Sequence, residues 1–150
     1  MRTFANLDEF RACEGEILGS SDWVEIDQAR IDTFADATGD RQWIHVDPDR
    51  AAQGPFGATL AHGYLTLSLL SSLTGTIYRV DGIRMALNYG LNKVRFPSPV
   101  RVGSKLRATT ELTSVREVAG GVEIMLTSTV EIEGAQKPAC VAQHLARYYI

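Results

Sequence analysis

The stretch FADATGDRQWIHVDPDRAAQGPFGATLAHGYLTLSLL, residues 34–70, decides how the rest of the chain is read. It places Asp40 and His45 five residues apart, just past the end of a helix that closes at Thr38-Gly39. A loop with glycines at 54 and 57 then leads to His62-Gly63, where a long apolar helix begins. One part carries groups able to move protons. The other supplies a helix N-terminus, whose unpaired N–H groups and dipole suit a developing negative charge. A fold that joins the two parts makes an acid–base pair facing an oxyanion site.

Working outward, Asn6–Cys13 reads as a short opening helix with Leu7 and Phe10 on one face, and residues 17–26 read as a strand. Asp27 suits the N-cap of the next helix, in which Ile31, Phe34 and Ala35 recur at helical spacing. Gly39 suits the left-handed position that ends it. Residues 39–46 read as a loop, and Asp47-Pro48 as the cap and first residue of a new helical turn. His62–Leu73 reads as a helix buried on nearly all sides and ended by Gly75.

Beyond Ile83 the period changes to two. Strands are expected at 83–96, with a bulge at Gly90, at 105–118, at 122–133 and at 139–149. Ala119-Gly120-Gly121 signals a hairpin, and residues 134–138 another turn. One apolar helix and a long antiparallel sheet form an α+β layout in which the sheet must curve around the helix. The outer strand edge invites a second subunit.

The 150 residues suit one domain, with 45% hydrophobic and 22% charged residues and a net charge of −3. That balance favours neither nucleic acid nor an acidic membrane surface. No apolar run approaches the roughly 20 residues that span a bilayer, and the polar start does not read as a signal peptide. Cys13 and Cys140 read as separate buried thiols, so a cytoplasmic location is expected.

Asp40 beside His45 fits a carboxylate that orients an imidazole, or a pair that shares one water. On spacing alone the simpler reading prevails, with Asp40 as a turn residue after the helix and His45 as a satisfied loop histidine. Gly63 either admits a ligand carbonyl close to the backbone or packs against a strand. His62 is not expected to bind metal, because none of the three histidines is spaced locally for a shared ion. Lys93 and Arg95 could meet phosphates or form a solvated strand face. Trp43 and Tyr148-Tyr149 read as packing residues.

The run Ala37-Thr38-Gly39-Asp40, then Ile44-His45, Ala51 and Ala61-His62-Gly63, resembles the hydratase 2 motif of MaoC-like, (R)-specific enoyl-CoA hydratases. Val94-Arg95-Phe96 with Pro99-Val100 and Gly103 resembles the strand and turn that follow in that family. The likeness spans nearly the whole chain and is close to the short, single-hot-dog actinobacterial members. It implies a hot-dog fold, a sheet wrapped around the 62–73 helix, and a homodimer whose sheets join edge to edge. It also implies reversible hydration of trans-2-enoyl-CoA to (R)-3-hydroxyacyl-CoA with no cofactor and no metal. In that reading Asp40 and His45 activate water, and the Gly63 N–H holds the thioester oxygen. Trp43, His62, Tyr64, Lys93 and Arg95 are the implied substrate contacts. The other readings are an acyl-CoA thioesterase, which the lack of Asp or Glu on residues 64–73 disfavours, and a non-catalytic thioester-binding subunit. One departure stands out: the family commonly carries Asn-Pro where this chain has Gln42-Trp43.

Overall fold

The computed structural model describes all residues from Met1 to Ile150. Strand β1 (Arg2–Phe4) and helix α1 (Leu7–Arg11) open the chain, and Asn6 caps α1 by accepting from the Glu9 N–H. Two short strands follow, β2 (Ile17–Ser20) and β3 (Val24–Glu25), where one strand was expected. Ser21 splits them: its hydroxyl accepts from the Ala108 N–H at 3.0 Å, so a side chain takes one ladder position.

Helix α2 (Gln28–Thr38) begins at Asp27, whose carboxylate accepts from the Arg30 N–H, and ends at Gly39 with φ +79°. Both ends fall where the sequence puts them. Residues 39–46 are not wholly a loop, because Trp43–Val46 forms a single helical turn, α3. Helix α4 (Pro48–Ala52) has the expected Asp47 cap and proline in its first turn.

The apolar helix is α5 (Gly63–Ser68) and α6 (Leu70–Ile77), separated at Leu69. Gly75 lies inside α6 and does not end it; the helix runs on because Leu73 and Ile77 keep burying one face. Nor is the helix buried all round: Tyr64, Ser68, Ser71, Ser72 and Gly75 are exposed along one side. Leu65, Leu70, Leu73 and Ile77 lie on the opposite side and are buried. Each such side chain contributes roughly 1.5–3 kcal/mol.

Strand β4 (Tyr78–Val80) pairs in parallel with β1. The main sheet is antiparallel, in the order β2-β6-β7-β8-β5, with β3 also beside β6. Its long members are β5 (Met85–Arg95), β6 (Lys105–Val118), β7 (Gly121–Ile132) and β8 (Cys140–Tyr149). Their inner faces alternate as the period of two requires, with Ala108 of β6 opposite Val130 of β7 and Leu112 opposite Leu126 in the core. The β5–β8 register shifts between Asn88 and Gly90, the expected bulge. The sheet wraps the α5–α6 helix, which is the hot-dog arrangement.

Strand β5 is the sheet edge, and nearly all of it is exposed on both faces. Met85, Leu87, Tyr89 and Leu91 retain between 46% and 53% of their exposure, a long apolar edge with unpaired backbone groups.

Candidate active site

The left-handed turn at Gly39 releases the chain from α2 and presents Asp40. The Gln42 N–H points at the Asp40 carboxylate, at 3.4 Å, and the His45 N–H closes a tight turn on the Gln42 carbonyl at 2.9 Å. The Gln28 amide, from the first turn of α2, donates to the His45 carbonyl at 2.8 Å. In turn the Thr59 hydroxyl donates to the Gln28 side-chain carbonyl. One glutamine therefore ties α2, α3 and the 54–61 loop together, and sequence reasoning missed it because a glutamine at a helix start carries no signal.

The replacement of Asn-Pro by Gln42-Trp43 leaves this turn intact. Trp43 takes the first position of α3, where proline is tolerated because its N–H has no helical acceptor. Gln42 has φ −56° and ψ 138°, the extended backbone that a residue before proline adopts.

His45 is buried, and its Nδ1 lies 2.7 Å from the Leu60 carbonyl. A carbonyl only accepts, so the hydrogen sits on Nδ1 and Nε2 presents a bare lone pair. Burial pushes the His45 pKa below the usual imidazole value, and His62 adds to the effect. The Leu60 hydrogen bond and nearby Asp40 oppose it. The ring is thus a neutral acceptor at neutral pH.

His62, the residue before α5, is 2% exposed. Its ring stacks on His45 with centroids 3.8 Å apart and planes 22° apart. Its Nε2 donates to the Asp40 main-chain carbonyl at 2.9 Å. A carboxylate oxygen of Asp40 and one ring nitrogen each of His45 and His62 all lie within 4.8 Å of one another. The premise that scattered histidines cannot share an ion is therefore overturned, since the fold brings two of the three into contact. Near-parallel rings keep their lone pairs in two separate planes, however, rather than aiming both at one point. Groups up to about 5 Å apart suit a bridging water, which needs about 2.8 Å to each partner.

Gly63 opens α5, and the first helical bond is Thr66 N–H to the His62 carbonyl at 3.2 Å. The N–H groups of Gly63, Tyr64 and Leu65 thus precede the first intrahelical acceptor. A Cβ on Gly63 would stand 3.3 Å from the Phe96 ring. Close packing and close approach of a ligand are both served by the same missing methyl. Gly63 and Phe96 line one cavity of about 380 Å³ with Phe56, Thr66 and Pro99. Two adjoining grooves of about 390 and 310 Å³ run along the exposed side of the central helix and share Ser71, Asn88 and His144.

Other candidates lie apart from that pair. Trp43 packs over Gly54 and beneath the Arg50 guanidinium, 4.4 Å from its ring. Tyr64 is 71% exposed and meets Phe96 edge to face at 6.5 Å. Lys93 and Arg95 are exposed on β5 with no carboxylate in salt-bridge range.

Residues 9–134 match the MaoC like domain. The chain is 56% identical over 149 residues to 3-hydroxyacyl-thioester dehydratase Z of Mycobacterium tuberculosis, covering 99% of each. It is 47% identical over 133 residues to Nodulation protein N of Rhizobium leguminosarum bv. viciae, covering 85% of this chain and 81% of the relative. Among solved structures it superposes on the (R)-hydratase from A. caviae involved in PHA biosynthesis with a TM-score of 0.72 and 26% identity, covering 87% of this chain and 95% of that one. With the sheet-wrapped helix, the match over most of its length and the near-complete alignment to a dehydratase, the chain belongs to the MaoC-like family of hydratases and dehydratases, which are hydro-lyases.

Proposed function

We propose that the protein interconverts a trans-2-enoyl thioester and an (R)-3-hydroxyacyl thioester, with Asp40 and His45 binding and activating the water. The single observation that carries this reading is the Asp40 carboxylate within 4.8 Å of a His45 ring whose Nδ1 is already committed to Leu60. That commitment leaves Nε2 as an acceptor for a water proton. In the hydration direction the water oxygen bonds to the β-carbon, and the double-bond electrons move to the α-carbon and carbonyl oxygen. The Asp40/His45 pair takes the water proton and returns one to the α-carbon on the same face. The Gly63 N–H stabilises the oxygen while it carries charge, an interaction of most value in the transition state. The thioester itself acidifies the α-hydrogen, so the proposed chemistry calls for no cofactor and no metal.

The carrier proposed is coenzyme A, with Tyr64 at the helix start and Lys93 and Arg95 on the exposed edge strand as candidate contacts, and Trp43 as a wall of the neighbouring loop. The apolar β5 edge supports a homodimer formed by edge-to-edge pairing, and nothing in the composition points to nucleic acid or membrane. A cytoplasmic location fits two unpaired buried cysteines. A panel of C4 to C16 enoyl-CoAs, followed by loss of enoyl absorbance, tests the reading. Release of free thiol instead of hydration would make the protein a thioesterase, and binding without turnover would make it a thioester-binding subunit.

A further inference from the structure

His62 touches both halves of the proposed water site, yet it is placed so that it cannot handle the water itself. Its Nε2–H is spent on the Asp40 main-chain carbonyl at 2.9 Å. Its Nδ1 is buried without any hydrogen-bond partner. One nitrogen is committed and the other is sealed from solvent, so the ring offers no path for a proton to or from the reacting centre. Nor can the ring tilt away. One face lies against His45 at 3.8 Å, and Phe34 of α2 closes on it at 5.0 Å with the planes 56° apart. An orphaned buried acceptor costs free energy of about 1–3 kcal/mol. Such a cost persists where the remaining contacts of the ring over-determine its position.

From this geometry we infer that His62 is a positioning residue: through its Nε2–H bond to Asp40 and its stack on His45 it fixes the separation of the two water-binding groups. The inference rests on the proposed role of Asp40 and His45. The Asp40 carbonyl is the only main-chain anchor that joins the exposed Asp40 turn to the helix start. The carboxylate itself has just the long 3.4 Å contact to the Gln42 N–H. Without the His62 bond the Asp40 turn keeps only contacts to its own helix end. These are the Asp40 N–H to the Thr38 hydroxyl at 3.4 Å, the Arg41 N–H to the Gly39 carbonyl at 3.1 Å and the Arg41–Asp36 ion pair, none of which sets its distance from His45. The stack fixes the other partner, holding the His45 ring plane while Leu60 fixes its rotation. Because the same residue precedes Gly63, the water-binding pair and the proposed oxyanion donor share one rigid reference point.

Three measurements on the full-length protein test this. In wild-type protein, long-range ¹H–¹⁵N histidine spectra should show His62 with hydrogen on Nε2 and His45 with hydrogen on Nδ1. His62 with hydrogen on Nδ1 would remove the Asp40 link and overturn the inference, whatever the enzyme turns over. With the best enoyl-CoA, His62→Leu should lower kcat by about 10- to 100-fold, the cost of displacing a reacting group by a fraction of an ångström to an ångström. KM should change much less. His62→Gln places an N–H donor where Nε2 lies and should recover most of that loss. Equal damage from Gln and Leu in folded protein, wild-type kcat in the Leu variant, or a loss carried in KM would each contradict a positioning role. A wild-type protein that hydrates no enoyl thioester would instead sink the proposed function, with the histidine spectra still reporting on the His62–Asp40 bond.

Discussion

Acid stability offers a prediction that depends on one side chain. His144 points from β8 toward the central helix, with its Nε2 2.9 Å from the Ser128 hydroxyl. That hydroxyl lies 2.8 Å from the Thr110 hydroxyl, and both partners are fully buried. No carboxylate is among these partners, and burial alone lowers the His144 pKa to about 4. The unfolded chain takes up a proton near pH 6.5, whereas the folded chain resists until about pH 4. Between those values the unfolded state binds more protons, so stability falls as the pH falls. At about 1.4 kcal/mol per pKa unit, the full effect is about 3 kcal/mol, most of which is lost by pH 4.5. Replacing His144 with Gln keeps a polar side chain at Ser128 and removes the titration. Urea denaturation at fixed protein concentration, run from pH 7.5 to 4.5, gives the difference in stability between the two proteins. The wild type should lose about 2–3 kcal/mol relative to His144→Gln across that range. His45 and the carboxylates titrate in both proteins and cancel. A difference flat to within about 0.5 kcal/mol would refute the reasoning.

Further expectations follow from close contacts. Gly63→Ala puts a methyl 3.3 Å from the exposed Phe96 ring, which can give way, so thermal stability should hold within a few degrees. Its kcat/KM should fall by an order of magnitude or more if a substrate carbonyl approaches there; unchanged kcat/KM would show that the glycine serves packing alone. Gly121→Ala is different in kind, because its Cβ would lie on the backbone carbonyl of Tyr148, and circular dichroism should show a protein that melts far lower or fails to fold. The pair Gln42→Asn with Trp43→Pro should preserve turnover, since Gln42 already has the extended backbone of a residue before proline and position 43 opens a helical turn, where proline is tolerated. Abolished turnover in that folded double variant would contradict the reading of the turn.

Much of this arrangement is legible in the residues. Asp27, Gly39 and Asp47-Pro48 mark element ends by local chemistry, and each ends an element in the structure. The hairpin at 119–121 and the strand periods needed only neighbours in sequence. What escaped depends on contacts across the fold. The α3 turn has four residues, too few to show a helical period, and is held by Gln28 from 17 residues away. Gly75 looks like a helix stop until Ile77, two residues later, finds the core. The strands β1 and β4 have three residues each and pair across 76 positions, which no local pattern signals. For the site, the spacing of Asp40 and His45 pointed to a pair, and the family likeness gave it chemistry. The inward turn of His62 was not legible, because its partners are a main-chain carbonyl and the face of another ring.

The central claim is that Asp40 and His45 act together on one water. Its most direct measurement is the turnover of Asp40→Asn and His45→Gln with the best enoyl-CoA, each variant checked for native folding. Both should lose roughly 10²–10⁴ in kcat, the range for removing an acid–base group, and the double variant should lose little more than the worse single one. Wild-type kcat in either folded variant would contradict it.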